Sequence, residues 1–241
     1  AEARKLQPHF IRTFFAEAGI HDYPEIDGIS NGWAGNTIYH QHFQFFQPEY
    51  PTPLTRARPG GRAAVIHRDD VTVRRLRWPT PVYQIRAAEA LNTGLIGNDL
   101  AGIWRLLGGS RKAPYKHFQD GYTPTEGEKV HAHTQNLYVP GANLGDTAYL
   151  VLRDRERVNF RPSPDDFVNQ AEGFRAQRKD NIGVLEVTGT LIVDDRSNFN
   201  RMRLWTPADI SRQVTSMLAA VAPEEGKVTE FENTLEELFP A

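Results

Sequence analysis

Two histidines and a glutamine occupy alternate positions in the segment His40-Gln41-His42-Phe43-Gln44. Alternate residues of a β-strand share one face, so a strand here would present His40, His42 and Gln44 together. A neutral imidazole can bind a metal ion, or it can attack phosphorus as a nucleophile that is later displaced. A glutamine amide on the same face can donate a hydrogen bond to a phosphoryl oxygen. The spacing therefore indicates metal binding or phosphoryl transfer, although such histidine pairs also occur on ordinary exposed strands.

The residues around this motif favour phosphoryl transfer over metal binding. Gly35, Asn36 and Thr37 end a run of small residues whose backbone N–H groups can surround a phosphate. A metal site would need a third ligand from a distant part of the chain, because no carboxylate lies between residues 31 and 47. Cysteine is absent, which excludes disulfides, a thiol nucleophile and cysteine-ligated zinc. We predict a phosphate-binding site without a metal, and a metal-dependent lyase or oxygenase is the minor alternative.

The motif resembles the H-x-H-x-Q signature of the transferase branch of the histidine-triad superfamily. That branch contains galactose-1-phosphate uridylyltransferase and the GDP-hexose (GDP-L-galactose) phosphorylases. Residues Thr37–Gln44 are most similar to the T-I-N-H-L-H-F-Q block of the latter group, with Tyr39 and Gln41 as departures. Leu76–Val82 and Gly183–Val193 resemble two later blocks of the same group, in the same order along the chain.

This resemblance implies a nucleotidyltransferase of the phosphorylase type. The resemblance implies that His42 forms a covalent histidine–nucleotide intermediate, that His40 orients His42, and that Gln44 binds the phosphoryl oxygens. The implied substrates are a nucleoside diphosphate sugar and an acceptor, either phosphate or a sugar phosphate; no cofactor is implied, and homodimers are common in the family. With water as acceptor, the protein would hydrolyse dinucleoside polyphosphates or nucleoside phosphoramidates. If it catalyses no reaction, the protein would be a nucleotide-binding or partner-binding module.

Two polar residues elsewhere in the sequence are candidate substrate ligands. Asn136 lies in a segment with the alternation of a strand, where its amide can bond the substrate. Glu186 is a lone acid among apolar residues, suited to a base or to an acceptor for a sugar hydroxyl. A paired structural carboxylate explains Glu186 equally well.

Two further clusters have simpler explanations. His131 and His133 form a second H-x-H, which we interpret as the polar end of a strand rather than a metal pair. Arg74, Arg75 and Arg77 could bind a phosphate-rich ligand, but a solvated strand face accounts for them more simply.

Hydrophobic periodicity and turn residues predict the elements that would position these side chains. The predicted strands or extended segments are 22–29, 37–47, 71–77, 80–86, 133–139, 147–153 and 182–193, with a turn at 30–36 and a loop at 48–62. The predicted helices are 2–18, 98–107 and one that begins after Thr206, where Pro207 and Asp209 suit a first turn.

Several predicted strands with helices at intervals indicate one α+β domain over residues 1–241, with helices packed on a mainly antiparallel sheet. The resemblance implies that this domain is similar to the histidine-triad transferases. The chain has 28 basic and 30 acidic residues, so it lacks the excess of positive charge typical of a nucleic-acid-binding protein. No apolar run is long enough to cross a membrane, and we expect a cytoplasmic protein with neither nucleic acid nor membrane as partner. Only 39 residues precede His40, which leads us to expect that an N-terminal part of the family fold is missing.

Overall fold

One antiparallel sheet of seven strands organises the described part of the chain. The computed structural model describes residues 27–32, 42–61, 65–68, 70–88, 90–112, 129–131, 133–141, 147–154, 184–190, 200 and 205–240. The strands of the sheet are β1 (Asp27–Gly32), β2 (His42–Phe46), β3 (Ile66–Arg68), β4 (Val71–Arg75), β5 (Val82–Ala87), β8 (His133–Val139) and β9 (Thr147–Asp154). Their order is β2-β1-β8-β9-β5-β4-β3, and every neighbouring pair is antiparallel. Strands β6 (Ser110–Lys112) and β7 (Lys129–His131) form a separate pair.

Helices cover the sheet on both sides, in agreement with the predicted α+β architecture. They are α1 (Ala90–Leu107), the single turn α2 (Val184–Val187), α3 (Pro207–Ala219) and α4 (Glu225–Leu238), and a 3-10 turn spans Pro53–Arg56. Strand β8 has the predicted bounds, and β4, β5 and β9 differ from prediction by one or two residues at their ends. Helix α4 was not predicted from the sequence.

One side of the sheet packs against α1 and α4, and we call it the α1/α4 face. Leu137, Leu150 and Ile85 are buried there with Trp104 of α1 and Phe231 of α4. The two aromatic rings meet edge to face, with centroids 5.7 Å apart. Burial of each of these large side chains contributes about 2–3 kcal/mol, so the two helices and the sheet stabilise one another.

Helix α1 begins eight residues before its predicted start, because packing outweighs the low helix propensity of Gly94 and Gly97. A Cβ atom at Gly97 would lie 2.5 Å from Leu137 Cδ1 and 3.3 Å from Ile85 Cδ1. The missing side chain therefore lets α1 approach the sheet closely.

The opposite side, which we call the α3 face, carries the second half of the core. Ile29, Tyr138 and Val151 are buried there with Met217 and Leu218 of α3. The 3-10 turn and α2 pack on the same face through Leu54 and Val187. Since side chains alternate along each strand, the sheet register shows which other positions belong to this face.

The start of α3 confirms the capping prediction. The Asp209 backbone N–H donates to Thr206 Oγ1 at 3.2 Å, and the Thr206 N–H donates to Asp209 Oδ2 at 3.0 Å. Pro207 occupies the first turn, where its missing N–H costs nothing. Hydrogen bonds from Thr206 hold the pKa of Asp209 below its usual range.

The structure corrects two sequence predictions. Residues 184–187 of the predicted strand 182–193 form the helical turn α2, and Gly189 follows with a φ of +88°, which favours glycine. An apolar run of this length does not distinguish strand from helix by its periodicity. Ser30, Asn31 and Gly32, predicted in a turn, belong to β1, because pairing with β2 and β8 on both sides outweighs their turn propensity. The predicted helix over residues 2–18 lies outside the described residues.

Candidate functional site

His42 begins strand β2, at one end of the sheet order. The register places His42 opposite Asn31 of β1, and Asn31 opposite Asn136 of β8. These three positions therefore form one row across the sheet. Gln44 lies opposite Ile29, whose side chain is part of the core on the α3 face, and the Gln44 side chain is exposed. By register, the positions of His42, Gln44 and Asn136 all belong to the α3 face.

Several predicted site residues cannot be placed in this row. His40, Gly35, Asn36 and Thr37 lie outside the described residues, so their roles stay predictions. The structure brings His42 and Asn136, which are far apart in the sequence, onto β2 and β8, two strands with only β1 between them.

Asn136 meets a charged residue that the sequence did not suggest as part of the site. Its Oδ1 accepts a hydrogen bond of 3.1 Å from Nη1 of Arg153, on β9. Neither side chain is exposed to solvent. Burial lowers the pKa of Arg153 to about 10, and the negative charge of Glu186 acts in the opposite direction. Arg153 therefore remains a cation at neutral pH, inside the protein.

Glu186 is held next to this cation by the turn α2. Its side chain is 1% exposed, and Leu54 N–H donates to the Thr188 carbonyl at 3.0 Å while Trp78 Nε1 donates to the Val187 carbonyl at 3.1 Å. These bonds fix α2 to the loop and the strand end beside it. Asn136 and Glu186, predicted as two separate substrate ligands, thus both act on Arg153.

A buried hydroxyl completes this polar group. Thr134 lies directly opposite Arg153 in the register, with Asn136 two residues along the same strand. Its side chain is fully buried, and within the described residues Thr134 Oγ1 has no hydrogen-bond partner. Buried hydroxyls normally have one, so this atom is a candidate contact for a ligand. We call Thr134, Asn136, Arg153 and Glu186 the Arg153 cluster.

A cation, an amide and a hydroxyl together suit a phosphoryl group, since they supply donors and positive charge to its oxygens. Little in the sequence indicated that Arg153 would be the central residue of this cluster. Arg153 was the last residue of the predicted strand 147–153 and the one ionised side chain in it. That position is the feature from which its role could have been suspected.

A second polar network fixes β1 beside β8. Tyr138 OH donates to Asp27 Oδ2 at 2.5 Å, the Gly141 N–H donates to Asp27 Oδ1 at 2.8 Å, and Thr52 Oγ1 donates to Tyr138 OH at 3.0 Å. Burial raises the pKa of Asp27 and of Tyr138. Because β1 connects the His42 and Asn136 positions, this network stabilises the row in which they lie.

His133 faces away from the Arg153 cluster. Its ring is buried on the α1/α4 face and stacks on Trp104 with centroids 3.9 Å apart, and Nδ1 lies 3.1 Å from the Trp104 carbonyl. The interpretation of this second H-x-H as part of a strand end agrees with the start of β8 at His133, and the buried ring contributes to packing.

Comparisons with models of known protein families, with curated proteins and with solved structures produced no match. Among the described residues, no group of three or more His, Asp or Glu side chains is arranged to hold a metal ion. In that same part of the chain, no helix is long and apolar enough to span a membrane. The function is therefore argued from the His42 row and the Arg153 cluster.

Proposed function

We propose that the protein is a nucleotidyltransferase of the phosphorylase type that acts on a nucleoside diphosphate sugar through a covalent adduct on His42. One observation carries the proposal. The positions of His42 and Gln44 belong to the same face of the sheet as the Arg153 cluster, with only Asn31 between the His42 and Asn136 positions.

The proposed reaction has two displacements at the same phosphorus. A nitrogen of His42 attacks the α-phosphorus, the N–P bond forms, and the P–O bond to the sugar phosphate breaks, so that the sugar 1-phosphate leaves. An oxygen of inorganic phosphate then attacks the same phosphorus, the N–P bond breaks, and a nucleoside diphosphate leaves. Histidine returns to its starting state, and its intermediate retains a reactive bond for the second acceptor.

The Arg153 cluster supplies what such a transfer needs, which is positioning and positive charge rather than acid–base catalysis. Arg153 is fully buried and acts through the Asn136 amide that it holds. The Thr134 hydroxyl adds a donor on the same face. The exposed Gln44 lies at the next position of this face along β2, where a phosphoryl oxygen bound at His42 would be close.

The same features support a histidine-triad transferase-like fold. The sheet is antiparallel, helices cover both faces, and the described part of the motif, His42 to Gln44, lies on a strand. We infer this fold from that combination and from the motif itself.

Intact-mass spectrometry of the full chain tests the proposal. We expect incubation with GDP-, UDP- and ADP-sugars to add one nucleoside monophosphate less water for the accepted nucleotide. The adduct should be lost in His42→Asn and retained in His67→Asn, a matched control because His67 is an exposed histidine on β3. Persistence of the adduct in His42→Asn, or no adduct with any of the sugars, would overturn the proposal.

The acceptor follows from how the adduct decays. Rapid discharge on addition of inorganic phosphate, with release of a nucleoside diphosphate, is expected of a phosphorylase. Discharge in buffer alone at the same rate would indicate a hydrolase instead. Tight binding of nucleotide with neither adduct nor turnover would indicate a binding module.

A further inference from the structure

Charge is distributed unevenly along this chain, although its formal net charge is only −2. Residues 51–88 contain eight arginines and two aspartates, with neither lysine nor glutamate. Residues 222–241 contain six glutamates and one lysine, with no arginine. The near-neutral total therefore conceals a strongly basic segment and a strongly acidic one.

Among the described residues, Arg75 is the one arginine of the basic segment that forms an ion pair with the acidic segment. Arg75 donates to both carboxylate oxygens of Glu225, at 2.6 and 2.9 Å, and lies 3.5 Å from Glu232, which also accepts from Tyr83 OH at 2.8 Å. The contact attaches α4 to β4 on the α1/α4 face. Arg74, the neighbouring residue, belongs to the opposite face. The basic cluster expected from the sequence is thus divided between the two sides of the sheet.

Strands β3, β4 and β5 each expose one basic residue on the α3 face. The register places His67 opposite Thr72 and Thr72 opposite Arg86, while Arg74 lies opposite Gln84. The side chains of His67, Arg74 and Arg86 are all exposed. On the other face of the same strands, Ile66, Val73 and Ile85 are buried. This end of the α3 face is therefore open, polar and basic.

Three more exposed arginines, Arg56, Arg58 and Arg77, lie in chain segments next to the end of β4 and to the core of the α3 face. Arg77 N–H donates to the Arg58 carbonyl at 2.9 Å, which pairs the two backbones beyond the end of β4. Arg56 ends the 3-10 turn, whose Leu54 is buried in the core of the α3 face. We call Arg56, Arg58, Arg74, Arg77 and Arg86 the arginine surface. Within the described residues, none of the five forms an ion pair.

In contrast to the expectation from net charge that nucleic acid is not a partner, we propose that the arginine surface binds single-stranded nucleic acid through its phosphate backbone. Guanidinium groups bind phosphate oxygens in pairs, and every cation of this segment other than histidine is arginine. A polyanion would relieve the mutual repulsion of five unpaired like charges. Tyr50 precedes Arg56 by six residues in the chain and is 71% exposed, and an exposed aromatic ring is a surface on which a base can stack.

Two other kinds of partner fit the surface less well. A protein interface usually has an apolar centre, whereas the exposed side chains that form this surface are charged or polar. A flat bilayer would be kept away because α3 and the 3-10 turn cover the adjoining part of the same face. A flexible single strand of nucleic acid can bend at the boundary between the part of the α3 face that α3 covers and the part that is open.

Fluorescence anisotropy with labelled oligonucleotides of about 20 residues, a length that spans at least one typical single-strand binding site, tests the proposal. We expect the full chain to bind RNA and DNA oligonucleotides alike, with a slope of log K against log salt of about −3.5, as five phosphate contacts on a single strand would give. Arg74→Ala/Arg86→Ala should weaken binding about 20-fold at 0.1 M salt and reduce the slope by about 1.4. Arg58→Ala/Arg77→Ala should weaken binding similarly, which keeps the test valid if the first variant misfolds.

Arg68→Ala/Lys227→Ala is the matched control, because it removes two exposed or half-exposed cations that lie outside the surface. It should leave the affinity within about twofold. Equal losses in this control and in Arg74→Ala/Arg86→Ala, or no binding at low salt, would overturn the proposal. Binding to phosphatidylcholine–phosphatidylserine vesicles without binding to either oligonucleotide would overturn it as well.

Discussion

Removal of the Arg153 side chain offers a sharp test of how the site is held together. Arg153→Met keeps much of the buried volume but removes the charge, so that Glu186 loses its attraction and Asn136 Oδ1 loses its donor. Breaking a buried pair by deleting one partner costs about 3–5 kcal/mol, because it leaves an uncompensated buried charge. Arg153→Lys keeps the charge while changing the hydrogen-bond geometry, and should cost about 1–2 kcal/mol.

Urea unfolding followed by tryptophan fluorescence measures these differences. With a slope of about 3 kcal/mol per molar urea, the midpoint of Arg153→Met should fall by about 1–1.7 M. Arg86→Met is the matched control, since Arg86 is exposed on the same sheet, and its effect should stay within about 0.5 kcal/mol.

A double-mutant cycle separates the pair from the rest of the environment. If Arg153 and Glu186 interact as the structure indicates, Arg153→Met/Glu186→Leu should be more stable than Arg153→Met alone, with a coupling energy of about 1–3 kcal/mol. Strict additivity in the cycle, or an Arg153→Met effect no larger than that of Arg86→Met, would refute the reasoning. The same variants should also lose adduct formation on His42, if the cluster binds the phosphoryl group.

Three further predictions concern stability. Thr206→Ala should cost about 1 kcal/mol in urea unfolding, because Asp209 N–H loses its acceptor, and Thr206→Ser should cost much less. Gly97→Val should destabilise by about 1–3 kcal/mol through its clash with Leu137, whereas Gly226→Ala, with open space around its Cβ position, should stabilise by up to about 1 kcal/mol. Burial raises the pKa of Tyr83, Tyr138 and Tyr149, so above pH of about 10 only the unfolded state releases these protons and stability should fall by up to about 1.4 kcal/mol per pH unit for each tyrosine. Arg153, whose pKa is lowered to about 10, loses its proton first in the folded state, which should offset the loss of stability caused by about one of the three tyrosines. In urea unfolding between pH of about 10 and 11, a Tyr83→Phe variant whose stability falls with pH as steeply as that of the original chain would contradict this account.

Local signals in the sequence were enough to predict the elements that have strong periodicity or a cap. Alternation gave the central strands β8 and β9, and the Thr206 capping box gave the start of α3. The prediction of a strand at α2 was wrong because a short apolar run fits the periodicity of a strand and of a helix equally. The conformation of α2 depends on hydrogen bonds from Leu54 and Trp78, which are distant in the sequence.

The candidate site was only partly predictable for the same reason. The motif identified His42 and Gln44 through spacing alone, which is local information. The convergence of Asn136 and Glu186 on Arg153 depends on the pairing of β8 with β9 and on the packing of α2. No pattern within a single segment carries that information, so Arg153 was missed.

The Arg75–Glu225 contact attaches the acidic helix α4 to one side of a sheet whose other side carries the arginine surface. Within the described residues, the molecule therefore separates negative from positive side chains across the sheet in spite of its small net charge. In solutions of low ionic strength it would turn one side towards a cation-exchange resin and the other towards an anion-exchange resin, and would be retained by both near neutral pH. Its retention would then report how its charges are arranged rather than how many there are.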